Sequence, residues 1–412
     1  MRPPVSFLLL AGALTTGCPV MAQSTAPDTK PYATLNRQAV TYRGPIGTRD
    51  KDSSGEVAVI GAILPLQGVE QTEGKALLTA AQVAVEEEQV RGPLPDGLKL
   101  ALRVRDSSGP WGQASSEILK LIEQDHAVVL LTSADGNIAH QAEQIANKIS
   151  FPILTLASDP ATTATNVPWV FRFGPSDTDQ ARAFCHRIYV ELRLQKVLVV
   201  AERDHDGRVG SVEFEKAARE LQAPAPVKLD ISASASDIAA ISEAIRTTAP
   251  DAVVVWTDAS LAKEVVGASQ RTSPSKPVFL CTKAGQLGTE SPARGGQSID
   301  ASVSQNLSEL FTVTPLAPTE LVAQHNFEQQ YQARTGGHPG IAAFQAYEAV
   351  HLIAAGLRAA GASRVLLREY FANEGRFHES TGIVPFDPAG NCLKEFAVVP
   401  LAYAESCCSN PL

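Results

Sequence analysis

The sequence predicts an α/β protein of two lobes, each a parallel sheet flanked by helices. Three observations carry that prediction. The chain has 412 residues and is 44% hydrophobic, more than one ordinary domain needs and enough to bury two cores. Short, near-continuous apolar runs such as VLVVAE (197–202) and AVVVWT (252–257) have the make-up of parallel strands buried on both faces. Stretches with helical apolar spacing separate these runs, and that alternation is the pattern of βαβ units, whose right-handed crossovers place helices on both faces of a sheet.

Taken in order, the chain opens with two segments of different character. Arg2, the apolar run Val5–Leu14 and the small-residue pattern Val20-Met21-Ala22 read as a signal peptide over 1–22, cleaved after Ala22. The competing reading is a lipoprotein signal that lipidates Cys18. Either one exports the mature chain, giving a periplasmic or extracellular protein. Residues 23–55, rich in Pro, Thr, Ser, Asp and Arg without a period, read as an extended leader. Strands are then expected at 56–64, 98–105, 127–132 and 152–157, alternating with helices at 73–90, 112–124 and 137–149. The alternation resumes with strands at 196–201, 226–231, 252–257 and 277–281 and helices near 178–193, 208–222, 236–247 and 259–270. Gly, Ser and Pro dominate from Gly285 to Asn306, which reads as a loop excursion; helices over 320–335 and 341–360 follow. Asp387-Pro388-Ala389-Gly390 reads as the turn of a hairpin in the tail.

Composition excludes several classes of function. The formal net charge of -9 is spread along the chain, so neither nucleic acid nor an anionic membrane is an expected partner. Beyond the leader, no stretch reaches the ~18 apolar residues of a spanning helix. No Cys/His spacing for zinc, GxSxG, HExxH, Walker lysine loop or GxGxxG after a strand is present, so no enzyme, cofactor or metal is expected. Asp204-His205-Asp206 reads as a solvated turn, since consecutive residues cannot all face one ion. Ser133 and His140 could share a helix face but have no oxyanion loop beside them. His126 and His186 read as surface or boundary residues rather than ligands. Of the cysteines left after cleavage, Cys185 and Cys281 read as core thiols. Cys392 is a candidate to staple the tail through Cys407 or Cys408 in an oxidising compartment.

The chemistry is expected in the loops after the strands, where helix N-termini point unpaired N–H groups into a crevice. Thr132, Ser133, Ala134, Asp135, Gly136 and Asn137 supply small polar groups ahead of one helix, and Ala157, Ser158 and Asp159 do so one strand later. Together they suit an anionic group such as a carboxylate. The alternative is that Asp135 or Asn137 simply caps its helix.

Several stretches, in order, resemble the type I periplasmic binding proteins of the leucine/isoleucine/valine class, the substrate-binding subunits of ABC importers. They are VAVIGAILPLQG, AVVLLTSADGNIAHQAEQIANKISFPILTLASDP, WVFRFGPSDTDQARAF, KVLVVAERDHDGRVGSVEF, PDAVVVWTDASLAKEVVGASQ, AAFQAYEAVHLIAAGL and TGIVPFDPAGN. The resemblance spans Gly55 to Asn391 and implies two Rossmann-like lobes joined by a three-crossing hinge. Lobe 1 would hold 56–175 and 315–383, lobe 2 176–314 and the return 384–412, with crossings near 175, 314 and 384. It also implies a small-molecule ligand between the lobes and ABC permease and ATPase subunits as partners.

Carried over by position, the family's carboxylate cradle falls on Ser133, Ala134, Ala157 and Ser158. Other family positions are occupied differently here. Its tyrosines correspond to Asp206 and Asp258, its ammonium-binding glutamate to Lys283, and its first-loop aromatic to Glu70. A buried lysine cannot receive an ammonium, so leucine itself is not the expected ligand. Asp206 and Asp258 take over the cation-binding role, with Lys283 facing a second acid group or pairing with Asp258; or the ligand is not an α-amino acid; or Lys283 points to solvent at the rim. A sensor or scaffold acting on a membrane partner is the alternative to a transport subunit.

Overall fold

The computed structural model describes residues 56–110, 112–165, 167–286, 309–315, 318–373, 386–394 and 396–401. The expected signal peptide and leader, most of the Gly285–Asn306 excursion and the cysteines proposed to pair with Cys392 lie outside the described residues.

Two sheets are present. The first contains β1 (Val57–Leu64), β2 (Lys99–Asp106), β3 (Ala127–Thr132), β4 (Ile153–Thr155) and β5 (Val170–Arg172) in the order β2-β1-β3-β4-β5. All of its pairings are parallel. Helices α1 (Gln71–Arg91), α2 (Gln113–Glu123), α3 (Gly136–Ile149) and the short α4 (Ala161–Ala164) connect these strands. Every residue of β3 is buried, as expected of a strand covered on both faces.

The second sheet contains β6 (Val197–Glu202), β7 (Val227–Ile231), β8 (Ala252–Trp256), β9 (Val278–Leu280), β10 (Leu310–Pro315) and β11 (Phe396–Pro400) in the order β11-β10-β9-β8-β6-β7. Its connecting helices are α5 (Asp177–Cys185), α6 (His205–Glu220), α7 (Ala235–Thr248) and α8 (Ala259–Thr272). A π turn, His186–Glu191, continues α5. Read from the opposite end, β7-β6-β8-β9-β10 repeats the connectivity of the first sheet, and β11 adds an antiparallel edge.

Three more helices, α9 (Pro318–Thr335), α10 (Ile341–Ala360) and α11 (Arg364–Phe371), return to the first lobe. There Phe327, Phe344 and Ile353 share one core with Ile60, Leu77 and Leu131. The second lobe has its own core around Phe184, Phe214, Trp256 and Phe279. Cys185 and Cys281 are buried thiols within it.

The chain passes between the sheets after β5, where Ser176 and Asp179 form a capping box at the start of α5, and again after β10. The last passage lies later than residue 384. Phe386 and Cys392 form the expected hairpin, with Gly390 at φ +88°. Asn391 then bridges Arg172 at the edge of the first sheet. The hairpin therefore belongs to lobe 1, and the chain crosses between Cys392 and Phe396.

Candidate functional site

The C-terminal ends of both parallel sheets face each other, and the residues just beyond those ends meet. Lys283, in the turn after β9, places its Nζ 2.9 Å from Glu70 Oε1 and 3.2 Å from Asp206 Oδ2. Glu70 precedes α1 in lobe 1, whereas Asp206 lies in the first turn of α6 in lobe 2. Asp206 also reaches across: its Oδ1 accepts the backbone N–H of Gly136, in the first turn of α3, at 3.1 Å.

Local structure explains these positions. Glu70 sits at the head of α1 without capping it, which leaves its carboxylate to turn toward Lys283. Asp204 caps α6 by accepting Gly207 N at 2.7 Å, so His205 and Asp206 project from the first turn. Thr282 N donates to Gln180 Oε1 at 2.8 Å, anchoring the turn that carries Lys283. At Gly136 an added Cβ would lie 2.5 Å from Asp206 Oδ1 and 3.0 Å from His205 Cδ2, so the two lobes approach here only because the residue is glycine.

The electrostatics are those of an acid-rich cleft around one cation. Burial works against the charge of Lys283, but Asp206 and Glu70 outweigh it and hold the ammonium well above the ordinary lysine range. Lys283 is 8% exposed; it faces the cleft rather than solvent, and its partners are Glu70 and Asp206, not Asp258. Burial pushes Glu73 up to about 8 despite Lys283, and its Oε1 is shut from water without a hydrogen-bond partner among the described residues. Burial, reinforced by Asp206, raises Asp135 to about 6. Asp177 is raised to about 7 by burial, partly offset by the Trp256 hydrogen bond. Trp256 Nε1 donates to Asp177 Oδ1 at 3.0 Å, while Oδ2 has no partner among the described residues. Glu202, raised to about 7 by burial and Asp258, accepts Asp258 N at 3.1 Å.

Asp204-His205-Asp206 is not a solvated turn. Asp204 caps, but His205 Nε2 lies 2.7 Å from Asp159 Oδ2 in the other lobe. The same oxygen is 2.8 Å from His140 Nε2, and His140 Nδ1 is 2.9 Å from Glu143 Oε2. His140 is thus engaged by carboxylates rather than by Ser133. His126 and His186 are exposed, as expected.

The expected cradle is largely occupied by the protein's own groups. Ser133 is fully buried, and its Oγ is 3.4 Å from Asp135 N. The Ala157 N–H donates to Thr155 Oγ1 at 3.1 Å, and the Ser158 carbonyl accepts Asp177 N at 2.7 Å. Ala134 and Ser158 stay partly exposed. Asp135 caps α3, accepting from Asn137 N and Ile138 N. Asp258 likewise caps α8, accepting Leu261 N at 2.8 Å, and makes no ion pair with Lys283. A cavity of about 460 Å³ opens beside this centre between the loops after β1, β2 and β3. Glu70, Asp135 and Asn137 line it, but Ser133, Ala157, Ser158 and Lys283 do not.

The sequence profile of the periplasmic binding protein family matches residues 58–369. The chain belongs to that family. Solved structures agree with this binding protein in fold. Leucine-binding protein LivK of Thermotoga maritima superposes with a TM-score of 0.68 at 18% identity, covering 83% of this chain and 95% of its own. LivJ of Streptococcus pneumoniae, the substrate-binding protein of a branched-chain amino acid transporter, in complex with isoleucine, gives 0.67 at 19% identity, covering 83% and 95%. An ABC transporter solute-binding protein of R. palustris in complex with benzoate gives 0.69 at 19%, covering 84% and 93%. No curated protein sequence matches the chain.

Glu73, Asp177 and Trp256 escaped the sequence reading as site residues, as did the meeting of His140 and His205 at Asp159, a residue read only as part of the cradle. Position supplied a signal for some of them: Glu73 lies on the helix that Glu70 precedes, and Asp177 directly follows a capping serine, Ser176.

Proposed function

We propose that this periplasmic binding protein is the extracytoplasmic substrate-binding subunit of an ABC importer and closes its lobes over a small polar solute, an amino acid or related carboxylate other than leucine. The observation that carries the reading is the Glu70–Lys283–Asp206 bridge, in which one buried cation joins acids from both lobes. Closure over a solute needs contacts that exist only when the lobes meet, and this bridge is one. A solute carboxylate can replace Asp206 at the Gly136 N–H and share Lys283, on a helix N-terminus that favours negative charge. Solute ammonium or hydroxyl groups then face the unpartnered oxygens of Glu73 and Asp177. Ser133, Ala134, Ala157 and Ser158 form the surrounding wall in this reading. Asp258 is committed to its helix cap and contributes through Glu202 at most. The charges gathered around Lys283 favour a polar side chain over the isobutyl group of leucine. Transport requires the family's partners, a membrane permease and its ATPase; the protein itself performs no chemistry.

One observation favours a second reading, a sensor or scaffold acting on a membrane partner. Asp206 already fills the anion position of α3 and, with Lys283, ties the lobes together using protein groups alone.

A thermal shift screen of protein unfolded and refolded to strip carried-over solute tests both. The panel contains acidic, basic, amide and aliphatic amino acids and aromatic acids. A solute at a hundred times its Kd stabilises by ~2.7 kcal/mol. Shifts with acidic or other polar solutes support the transport subunit, and a shift with leucine refutes the proposed specificity. If nothing in the panel shifts the melt, the sensor reading stands in its place.

A further inference from the structure

The cluster of His140, Asp159 and His205 lies across the lobe boundary and takes no part in the solute site proposed above. His140 comes from α3 and Asp159 from the loop after β4, both in lobe 1; His205 comes from the first turn of α6 in lobe 2. Their donor atoms, two Nε2 and one carboxylate oxygen, all lie within 4.8 Å of one another. We propose that these three residues form an interlobe site for a divalent transition-metal ion, with zinc the best match, that clamps the two lobes in the closed arrangement.

Several features make this a built site rather than a chance meeting of side chains. An imidazole pair with a carboxylate is a ligand set that zinc accepts, with the fourth position left to water or solute. Metal arms of 2.0–2.2 Å in a tetrahedron set ligand atoms roughly 3.3 Å apart. The two imidazoles stand 2.8 and 2.7 Å from Asp159 Oδ2, so a spread of roughly half an ångström admits the ion. Outer partners are in place as well. Glu143 Oε2 holds His140 Nδ1 at 2.9 Å, the carboxylate–histidine arrangement that orients a metal-binding ring. Asp159 Oδ1 accepts Ala161 N at 2.8 Å, and its carbonyl accepts Arg172 Nη1 at 2.7 Å, which fixes the loop. The Asp159 side chain is only 1% exposed, whereas both imidazoles are 28% exposed, so the site is anchored on one side and open to an entering ion on the other. The rings meet edge to face at 5.7 Å, presenting Nε2 of each toward the shared oxygen.

Position turns binding into closure. Lobe 1 alone offers two ligands and lobe 2 one, so the full set exists only when the lobes are together, and an ion that binds it must favour that state.

The test is a titration of tag-free, chelator-stripped full-length protein with Co2+, read by the visible bands of a tetrahedral ion, followed by displacement with Zn2+. Wild type is expected to bind one equivalent. H205Q and H140Q, both at partly exposed positions and checked for folding by circular dichroism, are expected to weaken binding at least 100-fold. E143Q should weaken it by about 10–100-fold through the outer partner. Zn2+ should lower the radius of gyration of wild type in small-angle scattering but leave H205Q unchanged. Binding that survives in H205Q, or no saturable binding by wild type, overturns the proposal.

Discussion

The carboxylate of Asp206 in the second lobe accepts the N–H of Gly136 in the first, 3.1 Å away, and thereby fills the anion position of a helix N-terminus with a protein group. That contact exists because residue 136 has no side chain. Gly136→Ala would set a Cβ 2.5 Å from Asp206 Oδ1 and push the two lobes apart at this point. The expected outcome is a larger radius of gyration in small-angle scattering with little change in melting temperature, because alanine is a better helix former than glycine. An unchanged radius would show that Asp206 swings aside without cost.

Removing the cation should be expensive. Lys283→Met leaves Glu70 and Asp206 facing each other across the boundary without their shared partner, and loss of one member of a buried ion pair costs about 3–5 kcal/mol. Denaturant unfolding should show that loss. The triple variant E70Q/K283M/D206N should recover most of it, because no charge is then left unpaired.

Trp256 offers a test of the Asp177 contact. A Cβ at position 210 would fall 1.9 Å from the indole, which is packed against Phe184 at 5.7 Å and has little room to retreat. Gly210→Ala is therefore expected to cost about 1–3 kcal/mol by overpacking. It should also detach Nε1 from Asp177, visible as a change in tryptophan fluorescence relative to Trp256→Phe controls.

Stability should fall as pH rises across the neutral range. Burial raises Glu73 to about 8, Asp177 and Glu202 to about 7 and Asp135 to about 6. Carboxyls whose folded pKa is raised bind protons more tightly in the folded state. Their contribution is complete below the ordinary values of 3.8 and 4.5 and is lost as pH climbs through about 6 to 8. Melting temperature should thus decline between about pH 4.5 and 8, and Glu73→Gln should flatten the upper part of that decline. A melting temperature that rises through this window would contradict the burial of these acids.

Strands and helices were legible in the sequence where apolar runs were long. β6, β8 and α10 read correctly because burial on both faces, or a wide apolar helical face, leaves an unambiguous pattern. β5, with VFR, and β10, with LFTVTP, are too short or too mixed for that signal. β11 hides in a tail whose pairing partner lies in β10, far back in the chain. At the site, the sequence reading found Glu70, Asp206 and Lys283 as candidates but not that they meet, since a contact between loops of two lobes leaves no local periodicity. His205 illustrates the limit best. Within the triplet it looked like a solvated residue, and only the fold brings it to Asp159.

Neither lobe is a continuous length of chain. The first sheet is threaded early, but its covering helices α9, α10 and α11 and its hairpin at 386–392 come after the second lobe's parallel strands, and β11 closes the second lobe later still. Neither half, then, can reach its final form until β11 is in place. Before β11 arrives, β10 presents an unpaired strand edge of the kind that recruits other chains. Folding in this protein waits for its tail, and a chain cut short near residue 390 would leave an aggregation-prone sheet rather than one finished lobe.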